Sequence, residues 1–163
     1  MPDSLPVTND TFNEAAAEES FYRRKPSPEL IAAFENRAIK VICSENQVLF
    51  SHGEPARCVY LVLNGEVRML LPLTPMDGMG FHAESGSFIG LPAAFSNEPY
   101  SMTAIACKGT EVAVMSREKF CDLIASSPAL SLDVLKILAA ETRAARIAIV
   151  EAGIGRRSRR TEA

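Results

Sequence analysis

The chain has 163 residues, a net charge of −3, and 47% apolar against 23% charged residues. That size suits one domain with a single core, and the composition is ordinary for a globular protein. The acidic balance excludes a general attraction to nucleic acid, and no run of about eighteen apolar residues offers a transmembrane helix. The N-terminus, Met1-Pro2-Asp3-Ser4, lacks the basic start and apolar stretch of a secretory signal. A cytoplasmic location is therefore expected. Four cysteines, Cys43, Cys58, Cys107 and Cys121, form no C-x-x-C pair. Free, buried and inert thiols are expected, rather than disulfides or an iron–sulfur site.

Residues 1–26 are polar and acidic and end in Arg23-Arg24-Lys25. They read as a flexible arm, with helical character limited to Asn13–Glu19. The domain proper is expected over 27–152. Ser27-Pro28-Glu29 combines an N-cap serine, a first-turn proline and an acid that complements the helix dipole. With the Leu30, Ile31, Phe34 stripe it predicts a short helix over about 28–36.

From Ile39 to Met115 short runs rich in Val, Ile, Leu and Phe alternate with turn signals, which predicts an all-β barrel or sandwich over 38–115. Asn64-Gly65, between Cys58–Leu63 and Glu66–Leu71, predicts a hairpin. The Met76–Gly80 tip is expected to be an exposed, flexible turn. Residues 88–100 break the pattern: Phe88–Phe95 suggests one short helical turn, and Ser96-Asn97-Glu98-Pro99 a loop. Such interruptions mark binding loops. Two helices follow over 116–152. Ser116 caps the first, to about Ala125, and Ser127-Pro128 opens a long second helix that Gly153 and Gly155 stop. Residues 153–163, with Arg156-Arg157-Ser158-Arg159-Arg160, are expected to be a basic, disordered, solvated tail.

This order, with Val48-Leu49-Phe50 then Gly53-Glu54, Val59–Val67 around Asn64-Gly65, and Gly86-Ser87-Phe88-Ile89-Gly90, resembles the cyclic-nucleotide-binding domain of the catabolite-activator and fumarate–nitrate-regulator superfamily. The resemblance covers about Ile39 to Arg146. It implies a mainly β fold: an antiparallel, jelly-roll-like β-roll flanked by a short N-terminal helix and a C-terminal helix pair. It also places a phosphate-binding cassette at Gly86–Phe95 and Pro99–Ala104. Candidate pocket residues are Phe88, Ile89, Gly90, Leu91, Pro92, Ala93, Tyr100, Ser101, Met102 and Thr103.

Two cassette positions depart from the family. The glutamate that holds the ribose hydroxyl is replaced by Leu91, and the arginine that pairs with the cyclic phosphate by Tyr100. Leucine accepts no hydroxyl, and tyrosine brings no charge. At about 1.5–3 kcal/mol per charge-assisted bond, losing a bidentate pair weakens binding roughly 10²–10⁴-fold. Leu91, Tyr100 and Met102 either fill the pocket, the reading tight packing favours, or line it for an apolar or aromatic effector.

Leu135, Thr142 and Ile149 lie one heptad apart, and Leu138, Ala145 and Ala152 form a second row offset by three. Together they make one seam on the long helix. The resemblance implies that this helix pairs with its mate across a two-fold axis, so a homodimer is expected. Val134 and Ile137 lie beside the seam and are free to pack on the roll. Glu141 with Arg143 or Arg146 reads as an ordinary surface pair. His52 and His82 are far apart, and the lone His82-Ala83-Glu84 does not match cupin metal spacing, so exposed histidines, no metal and no cofactor are expected.

The chain ends about ten residues after the long helix, so no autonomous DNA-binding helix-turn-helix module is expected. No nucleophile–base pair or phosphate loop suggests an enzyme. The expected function is a non-catalytic sensory or regulatory domain that does not bind cyclic AMP or GMP in the usual manner. It would act through an unidentified protein partner, without a membrane. A ligand-free dimerisation or interaction module is the alternative, followed by a genuine cyclic-nucleotide binder or a cupin-like metal protein.

Overall fold

The computed structural model describes residues 24–72 and 80–161. Helix α1 spans Pro28–Glu35, and Ser27 caps it by accepting from the Leu30 amide. Eight strands follow: β1 Ile39–Ile42, β2 Gln47–Phe50, β3 Cys58–Asn64, β4 Glu66–Leu70, β5 Gly80–Glu84, β6 Phe88–Ile89, β7 Thr103–Ala106 and β8 Glu111–Ser116. Helix α2, Leu91–Ser96, is inserted between β6 and β7. Helix α3, Arg117–Ala125, starts at the Ser116 cap, and α4, Pro128–Thr161, starts after Ser127, whose Oγ accepts from the Leu130 amide. The β-roll with flanking helices is thus the observed fold.

The strands form two antiparallel four-stranded sheets, ordered β1-β8-β3-β6 and β2-β7-β4-β5. The inner strands β3 and β8 of the first are buried on both faces, whereas its edge strand β1 is largely exposed. Val59 and Leu61 of β3, with Ala113 and Met115 of β8, meet the helices, whereas Val62 and Val112 meet the second sheet. A strand covered on both faces needs apolar side chains at every position, hence the unbroken Val59-Tyr60-Leu61-Val62-Leu63 run. The second sheet is covered on one face, and β4 alternates accordingly: Val67 and Met69 are buried while Glu66 and Arg68 are not. On the helix side Phe34 meets Phe88 and Phe120 edge-on, at centroid distances of 5.0 and 6.0 Å.

Four expectations are corrected. First, Asn64-Gly65 is not a hairpin turn, because β3 and β4 belong to different sheets. The chain turns a corner there, since Asn64 pairs with Glu111 on β8 and Glu66 with Glu84 on β5. A two-residue turn signal describes local backbone and does not choose the strand partner.

Second, α4 does not stop before Gly153 but continues to Thr161, through the stretch expected to be a disordered tail. A glycine inside a helix costs only about 1 kcal/mol relative to alanine, and Glu151, Ala152, Arg156 and Arg157 around the two glycines are tolerant helix formers.

Third, the arm expected over 1–26 is docked at its described end. Pro26 is buried, Lys25 Nζ donates to the Ser85 carbonyl at 2.8 Å, and the Ser27 amide donates to Asp133 of α4 at 2.8 Å. Residues 1–23, with the Asn13–Glu19 tract, lie outside the described residues. So does most of the Met76–Gly80 tip, but Gly80 opens β5 rather than ending a turn.

Fourth, the four cysteines are free, yet only Cys43 is buried, and Cys58, Cys107 and Cys121 are half-buried. Burial still pushes the Cys43 and Cys58 thiols up, away from the reactive thiolate. No single helix among the described residues is long and apolar enough to cross a membrane.

Candidate functional site

The ten candidate pocket residues do not converge on one cavity. The β6 strand sends Phe88 into the helix-side core and Ile89 into the core between the sheets, because alternate side chains of a strand point to opposite faces. Gly90 then leads into α2. Leu91, fully buried, packs with α1 and α3 in the helix-side core, and Ala93 faces the inter-sheet core. Pro92 and Ser101 are exposed, and Met102 is half-buried against the inter-sheet core. Thr103 Oγ1 accepts from the His52 amide at 3.0 Å. The grouping of Leu91, Tyr100 and Met102 around one pocket is therefore corrected: Leu91 lies on the far face of the first sheet from Tyr100.

Tyr100 is the decisive residue. Its ring stacks on Phe50 of β2, with centroids 3.7 Å apart and planes 13° from parallel. Its hydroxyl donates to the Cys58 carbonyl at 2.6 Å and accepts from the Cys58 amide at 3.2 Å. Burial pushes its pKa up, so the phenol stays neutral and keeps its proton for that carbonyl. Around the stack, Val62, Val67, Met69, Ala104 and Ala106 complete a close-packed interior. The Tyr100 side chain is thus engaged by Phe50 and Cys58 within the roll. Tyr100→Phe keeps the ring and removes the hydroxyl. It is expected to cost about 1–2 kcal/mol in urea unfolding, since the Cys58 carbonyl loses its side-chain partner. Unchanged stability would mean that water replaces the bond.

A cleft of about 400 Å³ remains beside the stack, lined by Leu49, Phe50, Glu54, Pro55, Arg57, Cys58, Tyr60 and Tyr100. Its walls are mainly apolar, with one guanidinium and one carboxylate, and its volume is that of an ordinary small-molecule site. Sequence reasoning missed all of these except Tyr100, because they come from β2, β3 and the loop between them rather than from the cassette. The Tyr60 hydroxyl donates to the Leu49 carbonyl at 3.1 Å, fixing one wall.

On α4, Val134 and Ile137 are buried against the roll, while Leu135 is 60% exposed and Leu132 54%. Of the other seam residues, Leu138 and Ala145 are half-buried and Thr142 is exposed; the Ile149 and Ala152 side chains lie outside the described part. Glu141 is no surface pair. It lies on the buried face of α4, forms no ion pair among the described residues, and burial pushes its carboxyl up to about 8. The Val134, Ile137, Glu141, Ala144 spacing placed it on the buried face and was the available signal. His52 is exposed in a turn, and His82 on β5 pairs with Glu66 on β4. Among the described residues no cluster of three or more His, Cys, Asp or Glu could hold a metal.

Residues 40–127, more than half of the chain, match the sequence profile described as the cyclic nucleotide-binding domain. The chain belongs to that family. Its described architecture also superposes on the catabolite activator protein of Thermus thermophilus. The TM-score is 0.65 at 22% identity, over 78% of this chain and 60% of that one. A cyclic nucleotide-binding domain from Methylobacillus flagellatus gives 0.63 at 24% identity, over 85% of both chains. At these identities the likeness is one of fold. In sequence, the chain is 32% identical over 103 residues to a lysophospholipase of Neurospora crassa and 31% identical over 100 residues to one of Chaetomium globosum. These matches take in 62% and 60% of this chain, which spans only 7% and 6% of those curated relatives.

Proposed function

We propose that the chain is a non-catalytic sensory or regulatory module of the cyclic nucleotide-binding domain family that does not hold cyclic AMP or cyclic GMP in the usual manner. The observation that carries this reading is Tyr100. It stands where the resemblance puts the phosphate-binding arginine, and its ring and hydroxyl are both spent inside the protein. Leu91, at the ribose-binding position, is buried on the other side of the sheet. The lysophospholipase activity named for the fungal relatives is not assigned to this chain, which spans less than a tenth of their length. Four free cysteines suit a reducing, cytoplasmic compartment.

The test is the melting temperature with and without millimolar cyclic AMP or cyclic GMP. Binding with ligand about a hundredfold above Kd would add about 2.7 kcal/mol and, at about 2–4 °C per kcal/mol for a chain of this size, raise the midpoint by about 5–11 °C. No shift is expected, and a shift of that size would return the chain to the nucleotide sensors.

The filled interior also favours a second reading, a ligand-free dimerisation or interaction module. In both readings α4 carries the output, with the seam around Leu135 and Leu138 meeting a second copy or a protein partner. Leu135→Lys, at an exposed position, is expected to leave the fold intact and convert dimer to monomer in analytical ultracentrifugation. An unchanged sedimentation coefficient would remove the seam from the interface.

A further inference from the structure

Under α4 lies a second, much smaller void, of about 10 Å³, at the junction of three parts of the chain. Glu141 enters it from α4, Ser87 from the start of the cassette, and Arg24 from the docked end of the N-terminal segment, with Pro26, Phe88 and Ile137 as apolar walls. The space is about that of one water molecule. Two features make the junction unusual. Ser87 Oγ is fully buried without a hydrogen-bond partner, and beside it Glu141 is a carboxyl only 9% exposed that has no ion pair among the described residues. Buried polar groups are nearly always satisfied, so an orphaned hydroxyl that shares a void with a buried carboxyl indicates a place whose bonding depends on state.

The segment that closes the junction is tied on both sides. Lys25 holds the Ser85 carbonyl next to the cassette, and the Ser27 amide is held by Asp133 of α4. Among the described residues, Arg24 is the one other charged group that lines the void with Glu141. Elsewhere Lys25 and Asp133 are engaged as described, and Arg117 of α3 donates to the Ala94 carbonyl.

We propose that Glu141, Ser87 and Arg24 form a proton-operated latch between α4 and the start of the cassette, closed when Glu141 is neutral and released when it ionises. A neutral carboxyl has both a donor and an acceptor to share with the Ser87 hydroxyl through one water in the void, and it carries no charge into the apolar wall. Loss of the proton leaves an anion among Phe88, Ile137 and Pro26. That anion is relieved by drawing α4 outward, toward water and the exposed Arg24 guanidinium. The burial that raises Glu141 to about 8 places this transition near neutral to mildly alkaline pH. The latch stands whether or not the roll takes a ligand and whether or not α4 joins two copies.

Hydrogen exchange of the intact chain at about pH 6 and about pH 9, corrected for intrinsic rates, tests it. If opening returns Glu141 to an ordinary pKa, protection in the first half of α4 and around Ser87 falls by up to roughly a hundredfold between those pH values. Glu141→Gln is expected to keep the low-pH protection at both. An equal loss in that variant, or no loss in the wild type, overturns the latch. Should the variant fail to fold, the carbon-13 titration of the Glu141 carboxyl in the wild-type chain decides. A midpoint above about 7, shared by the Ser87 amide, supports the latch, and one in the ordinary carboxylate range overturns it.

Discussion

Replacing Gly65 by valine is expected to prevent folding, and replacing it by alanine to cost about 2–5 kcal/mol, against a typical total stability of about 5–15 kcal/mol. Two separate penalties add. The residue has φ +93°, a conformation that a side chain rarely adopts. A Cβ there would also lie 2.6 Å from Thr110 Oγ1 and 2.9 Å from the Thr110 Cα. Thr110 has no room to yield. It is 1% exposed, its hydroxyl donates to the Glu66 carbonyl and accepts from the Glu66 amide, and its own carbonyl accepts from the Cys43 amide. The corner between the sheets is therefore locked from both sides. Gly53 separates the two penalties, because it has φ +85° with nothing within 4 Å of the added carbon. Gly53→Ala should cost only about 1–2 kcal/mol, from strain alone. Urea unfolding of the two alanine variants measures the difference. Equal losses would mean that Thr110 moves aside freely.

The second large effect concerns Glu141. Its folded-state pKa, about 8, stands above the ordinary 4.5, so the folded chain holds this proton more tightly than the unfolded chain does. The contribution to stability is complete below about pH 4.5, declines as pH rises toward about 8, and is fully lost above that. Each pKa unit corresponds to about 1.4 kcal/mol, so the decline amounts to a few kcal/mol. Glu141→Gln keeps the shape of the neutral acid and cannot ionise. It is expected to match the wild type near pH 5 and to exceed it by a few kcal/mol near pH 8, by urea unfolding at both pH values. Taking the difference between the two proteins cancels the titration of other groups. A wild-type advantage at alkaline pH would show that Glu141 is paired as an anion, and the account of its burial would be wrong.

Both positions show what sequence reasoning reached and where it stopped. Asn64-Gly65 was recognisable as a sharp turn, because glycine at positive φ is a local preference. That the turn crosses between sheets was not recognisable, since it depends on β3 pairing with β8 and β4 with β7, which lie tens of residues further along the chain. Glu141 lay at the buried spacing of α4, but a carboxylate beside Arg143 and Arg146 satisfies a surface rule equally well. Only the docking of α4 on Ser87 and Phe88 decided between them.

The local signals were sufficient wherever the physics is local. Ser27, Ser116 and Ser127 cap their helices with their own hydroxyls, as their places before the helical stretches predicted. The replacements at Leu91 and Tyr100 were visible without coordinates, because a missing charge is a property of residue type. What fills the space they leave is a property of packing. The Phe50–Tyr100 stack, the bond to Cys58, the cleft beside them and the void under α4 each join residues separated by tens of positions. Burial and register, which exist only once the two sheets and the helices close on one another, decided those.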